Sequence, residues 1–186
     1  MRTLLMICLL MFGTLPAISQ IRDAGAVNPS SVTGTISGQM DGVVSDGESV
    51  HEYGRSLVWL GLLLFTVALT TPLFLALYAN PRIGVGGHSI GLGSGMFLMI
   101  SGLIFPRVGL SPLWLGVTYW LLVVSIYTGF IAHMTGAVLG LTKNFPMTGK
   151  PEQGGPQWLE GLIDITFKVI TVMILVGCVL MLVGLS

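Results

Sequence analysis

Charge is what this chain has least of. Eight Lys and Arg stand against eight Asp and Glu in 186 residues, 9% of the sequence, where a soluble domain carries about a quarter. So few charges cannot coat a water-soluble particle of 19.8 kDa, and most of the surface must meet lipid or other protein. A formal net charge of zero lacks the basic footprint that nucleic acid requires and gives no pull towards anionic lipid. Cysteine is almost absent too: Cys8 and Cys178 lie far apart in apolar segments, which excludes a disulfide framework. No H-E-x-x-H or C-x-x-C occurs. The glycine-rich stretch 84–95 is too apolar for a phosphate loop and follows no strand. What remains is 53% hydrophobic, with 26 glycines and a mean hydropathy of +0.88. This is the composition of an integral membrane protein.

The order along the chain predicts an all-α architecture: an antiparallel four-transmembrane-helix bundle over 56–186, preceded by a signal peptide over 1–19 and a flexible extracytoplasmic tail over 20–55. Arg2, the apolar run Leu4–Leu15 and Ala17-Ile18-Ser19 are the positive start, apolar middle and small-residue exit of a secretory signal. The segment 20–55 is rich in Gly, Ser, Thr, Val and Asp without a helical period. Spans are expected at about 56–79, 86–105, 113–140 and 159–185, each near the twenty or so residues that cross hydrocarbon. Loops then fall at 80–87, 106–112 and 143–157. With the tail outside, Arg82, Lys143 and Lys150 lie on the cytoplasmic side and Arg107 on the other, the sense of positive-inside for a multi-pass protein of an inner or plasma membrane.

That topology gathers the unusual residues in one half of the bundle. His88 lies about two turns beyond Arg82 at the cytoplasmic end of the second helix, and His133 about 15 Å of helix from Lys143. Glu160, Asp164 and Lys168 form a stripe at the start of the fourth. Ionisable groups at membrane depth are costly and face protein interior more often than lipid, although an acidic and basic stripe near a helix end also suits snorkelling. Gly87, Gly91 and Gly95 make a small-residue ridge beside His88 and Ser94, and Ser125, Gly129, His133, Gly136 and Gly140 make a second stripe. Such ridges serve close helix packing; they also suit a flat cofactor against a glycine wall with a histidine as axial ligand. A third arrangement, His88 and His133 with Asp164 or Glu160 around a bare metal ion, is open in kind.

The run Asn80-Pro81-Arg82-Ile83-Gly84, then His88, Gly91, Gly95, Gly102-Leu103-Ile104-Phe105-Pro106-Arg107 and Leu110-Ser111-Pro112 resembles hydroxylaminobenzene mutase. Tyr119-Trp120-Leu121, Tyr127, Gly154-Gly155-Pro156, Trp158, Glu160 and Cys178…Gly184-Leu185 continue the same order over residues 60–185. The resemblance extends to styrene oxide isomerase and implies a four-helix membrane isomerase, a homo-oligomer similar to a trimer with haem b between subunits. On it, His88 is the iron ligand, with Gly91 and Gly95 beside the cofactor, and Ser94, Tyr127 and His133 are the catalytic or pocket residues for a small apolar aromatic hydroxylamine or epoxide, opened by Lewis-acid catalysis. The chain departs from the family pattern at Ser94, where Asn is frequent, and at Ser125 and His133, where the epoxide isomerases have an acidic residue and a tyrosine. Two other functions fit the same residues. One is a non-catalytic small subunit or assembly partner that docks through the glycine ridges. The other is a membrane cytochrome with haem held between His88 and His133.

Overall fold

The structure is a computed structural model; it describes residues 41–141 and 156–186, with side chains from Ser49 onward. Among these described residues four helices carry the fold: α1, Asp41–Thr70; α2, Pro81–Ile104; α3, Pro112–Leu139; and α4, Gln157–Leu185. A 3-10 stretch, Thr71–Leu77, prolongs α1, and a shorter one, Phe105–Arg107, follows α2. Each helix, with its 3-10 extension where it has one, is long and apolar enough to cross a membrane. Leu73, Leu103, Leu113, Leu182 and many other large apolar side chains are exposed, as contact with a lipid bilayer requires and an aqueous surface does not. The signal peptide expected at 1–19, the 20–40 part of the tail and most of the 143–157 loop lie outside the described residues.

Four contacts fix the direction of each helix. Asn80 at the start of α2 donates its backbone N–H to the carbonyl of Ala137 near the end of α3 (3.0 Å). Gly109, after α2, donates to the carbonyl of Gly184 at the end of α4 (2.7 Å). Tyr53 in α1 stacks on Tyr119 early in α3, ring centroids 4.9 Å apart, and meets Phe105 edge-on at 6.3 Å. Neighbouring helices therefore run antiparallel, as their short connections dictate.

Two boundaries differ from the sequence expectation. Residues 41–55, read above as the end of a flexible tail, are helical and continuous with the first span. Tertiary packing outweighs weak local propensity there: Gly54 lies so close to α2 that a Cβ would stand 2.8 Å from the carbonyl oxygen of Gly102, and Tyr53 is held between two aromatic rings. The second helix begins at Pro81 rather than about 86. Asn80 is its N-cap, its side-chain oxygen accepting from the backbone N–H of Arg82 (3.1 Å) and Ile83 (3.4 Å), and proline suits the first helical position. Asn80 is buried, so Asn80→Ala leaves two helix N–H groups away from water and should lower stability by about 1–2 kcal/mol. Unfolding in mixed detergent micelles measures that cost. At the other end, α3 stops at Gly140, whose φ of 69° closes the helix in the left-handed conformation that glycine adopts without strain.

Candidate functional site

Two features stand out, on different faces of α2. The first is a cavity of about 180 Å³ between α2, α3 and α4. Ile90 and Ser94 line it from α2; Ser125, Ile126, Gly129, Phe130 and His133 from α3; Phe167, Ile170 and Ile174 from α4. Helical spacing explains the convergence, since 90 and 94, 125, 129 and 133, and 167, 170 and 174 each repeat at three or four residues and share a face. Gly129 opens the floor: a Cβ there would approach Ile170 Cδ1 to 2.9 Å. The walls are apolar except for three groups. Ser125 is fully buried and its hydroxyl is placed to donate to the carbonyls of Leu121 (2.5 Å) and Leu122 (3.1 Å). With its one proton committed to the backbone, its oxygen presents lone pairs. The Ser94 hydroxyl makes no hydrogen bond to another described residue and is available as a donor. The His133 imidazole packs on Phe167, ring centroids 5.3 Å apart and planes inclined at 59°. A cavity of about 150 Å³ lined by apolar groups accepts benzene, so this one has room for a single substituted ring.

The second feature is His88. Its Nδ1 lies 2.7 Å from the carbonyl oxygen of Ala68 in α1. A carbonyl only accepts, so Nδ1 carries the proton, and in the neutral ring Nε2 is the nitrogen with the free lone pair. A histidine fixed in this way through one nitrogen is the usual arrangement of a metal ligand acting through the other. Haem iron needs one such axial ligand from the chain, and a half-buried imidazole held by a carbonyl fits that requirement. A bare cation is not served: among the described residues no three of His, Cys, Asp and Glu converge. That excludes the arrangement of His88, His133 and a carboxylate.

The sequence-derived candidates divide accordingly. Ser94 and His133 come together in the cavity, with Ser125 and Gly129. His88 is not among its lining residues; it faces α1, whereas His133 faces α4, so the two imidazoles do not flank one iron within a chain. Gly91 and Gly95, expected beside a cofactor, are occupied by helix packing. A Cβ at Gly91 would stand 2.6 Å from both Ala68 Cβ and Phe130 Cε2, and one at Gly95 would stand 2.8 Å from the Gly61 carbonyl oxygen. Their use here is to bring α1 against α2, and at Gly91 this is what carries Ala68 within reach of His88. Tyr127, expected in the pocket, lies instead at the α1–α3 contact, its hydroxyl donating to the carbonyl of Leu60 (2.8 Å). Asp164 and Lys168 form an exposed i,i+4 ion pair at 2.8 Å, the solvated arrangement. Glu160, by contrast, is buried. Phe167, Ile170 and Ile174 were missing from the sequence candidates; the signal for them is the spacing Ile163, Phe167, Ile170, Ile174, Gly177, Met181, one continuous face of α4.

Comparison with known proteins gives the family. The chain is 38% identical over 80 residues to hydroxylaminobenzene mutase HabA of Ectopseudomonas oleovorans, an alignment covering 43% of this chain and 59% of that protein. It is 30% identical over 131 residues to hydroxylaminobenzene mutase HabB of the same organism, covering 70% of this chain and 80% of that one. No solved structure matches. Residues 53–186, which include the cavity, His88 and all but the start of α1, match the family model of styrene oxide isomerase, and the chain belongs to that family.

Proposed function

We propose that this protein is a membrane-embedded isomerase that rearranges a small aromatic hydroxylamine or aryl epoxide, with haem b held by His88. The observation that carries the reading is the cavity: one donor (Ser94), one acceptor (Ser125) and one proton-exchanging group (His133) converge in an apolar space sized for a single ring. Such a rearrangement keeps every atom. In a hydroxylamine the N–O bond breaks and a ring C–O bond forms, while a proton leaves the ring carbon and one arrives on nitrogen. In an epoxide a C–O bond breaks and hydrogen migrates to the neighbouring carbon to give an aldehyde. Neither needs an oxidant or reductant, and a single group that lends and recovers a proton suffices. Ser94 binds the substrate oxygen, the Ser125 oxygen accepts from a neighbouring N–H or O–H, and His133 moves the proton. The apolar walls keep water from the cationic carbon and strengthen each polar contact. Haem iron, when bound, supplies a Lewis acid for the substrate oxygen.

His88 on the α1 side of α2, outside the cavity of its own chain, favours a site completed by a second copy, in keeping with the trimer that the family resemblance implies. The test is the visible spectrum of the detergent-purified protein beside His88→Ala, with haem quantified per chain, and product analysis after incubation with hydroxylaminobenzene and with styrene oxide. One haem per chain, lost in His88→Ala together with turnover, is expected. Colourless protein isolated from cells supplied with haem, or full haem content in His88→Ala, overturns the assignment.

A further inference from the structure

The carbonyl that fixes His88 is free because of a proline. In an uninterrupted helix the oxygen of Ala68 accepts the backbone N–H of residue 72. Residue 72 is proline, which has no N–H and whose ring crowds the carbonyl four residues back. The α-helix ends at Thr70 and the chain goes on as the 3-10 stretch Thr71–Leu77. The released oxygen takes two other donors, the hydroxyl of Thr71 (2.7 Å) and Nδ1 of His88 (2.7 Å), one for each lone pair. Two features brace the arrangement. Gly91 lets α2 approach Ala68. Tyr78 donates its hydroxyl to the Thr71 carbonyl (3.1 Å) and sets its ring on Gly84.

We propose that Pro72 and Thr71 are positioning residues for His88: the proline frees the Ala68 carbonyl to fix the imidazole tautomer, and the threonine hydroxyl, competing for the same oxygen, limits how strongly the ring is polarised. The proposal rests on the reading of His88 as a haem ligand and concerns how that ligand is tuned. A histidine that donates more strongly through Nδ1 is the more basic at Nε2. The two residues therefore act in opposite senses. Pro72→Ala restores an amide donor to Ala68, weakens the bond to His88 and loosens the tautomer. Thr71→Val removes the competitor with little change of shape and strengthens that bond.

The experiment uses the full-length haem-loaded protein in detergent, with the iron–histidine stretching band in the resonance Raman spectrum of the reduced state and haem affinity as readouts. Pro72→Ala should shift the band to lower wavenumber and weaken haem binding by about tenfold or more, and Thr71→Val should shift it to higher wavenumber. Opposite shifts carry the proposal, because a merely structural lesion at either residue would not give opposite signs. If Pro72→Ala does not fold, Thr71→Val decides alone. An unmoved band in the folded variants, with haem still lost in His88→Ala, overturns the proposal and leaves the ligand assignment standing. Full haem retention in His88→Ala overturns the ligand assignment instead. In that case ¹⁵N spectra of the imidazole still judge the tautomer device: an Nδ1–H form in wild type and a tautomer mixture in Pro72→Ala support it, and identical spectra refute it.

Discussion

His133→Phe is expected to lower kcat by about two to four orders of magnitude, the usual contribution of a positioned acid–base group, while haem content stays at the wild-type level. Elimination among the groups that line the cavity singles out His133. Of its ten lining residues only Ser94, Ser125 and His133 carry a polar side chain. Ser125 has spent its proton on the carbonyls of the preceding turn. A serine hydroxyl such as Ser94 can hold an oxygen, but it does not give up or take a proton near neutral pH unaided. Imidazole does both. Phenylalanine keeps the ring stacked on Phe167 and fills the same space, so a loss of rate reports proton transfer rather than collapse of the wall. Two companions sharpen the result. His133→Tyr restores an O–H donor at the same place and should recover part of the loss. Ser94→Ala should raise KM more than it lowers kcat, because it removes a grip on the substrate oxygen that is present before as well as during the reaction. The measurement is initial rates with hydroxylaminobenzene and styrene oxide in detergent, normalised to haem. A His133→Phe variant within about tenfold of wild type would remove the histidine from the proton path.

Much of this is legible in the sequence, and the parts that are not have physical causes. Spans show because a charge-free run long enough to cross hydrocarbon has few other uses, and the Asn80-Pro81 helix start is signalled by residue type even though the expected boundary fell several residues later. His88, Ser94 and His133 are conspicuous as polar groups in apolar surroundings. Which of them meet is a matter of helix rotation, and an apolar helix in lipid has no strong amphipathic stripe to give its rotation away. Tyr127 illustrates the difficulty: the only tyrosine in the middle of α3 looks like a pocket residue until its hydroxyl is found on Leu60 of α1. Phe167 illustrates the converse, one more apolar residue in a helix full of them. Pro72 sits in plain view within a run read as one unbroken span. What it does depends on His88, which is distant in sequence and comes near only because Gly91 and Ala68 let two backbones touch.

That close approach predicts the largest effect on the fold. Gly95→Val should cost about 3 kcal/mol or more, the upper range for forcing atoms into a packed interior. Between lipid-exposed helices there is no hydrophobic drive to associate, and small residues that let backbones approach supply the packing instead. The seam between α1 and α2 is built in that way at three levels: Gly54 opposite Gly102, Gly61 opposite Gly95, and Ala68 opposite Gly91. At the middle level the first atoms a Cβ on residue 95 would meet are the carbonyl oxygen of Gly61 and the amide nitrogen of Phe65, both at 2.8 Å. These are backbone atoms, and no rotamer change moves them aside. A Cβ on Gly61 would in turn stand 2.6 Å from the Gly95 carbonyl oxygen, so the two positions should be equally intolerant. Gly93, two residues away on the same helix, has nothing within 4 Å of its Cβ position. Gly93→Ala should leave the fold's stability unchanged or raise it by up to about 1 kcal/mol through helix propensity. Unfolding in mixed micelles compares the two, with haem content as a second readout. Forcing α1 from α2 takes the Ala68 carbonyl away from His88, so Gly95→Val protein that still folds should hold haem weakly. If Gly95→Val unfolds with Gly93→Ala and the wild type, the backbone contact is not what holds α1 in place, and the carbonyl that orients His88 must be kept near it by the other glycine pairs.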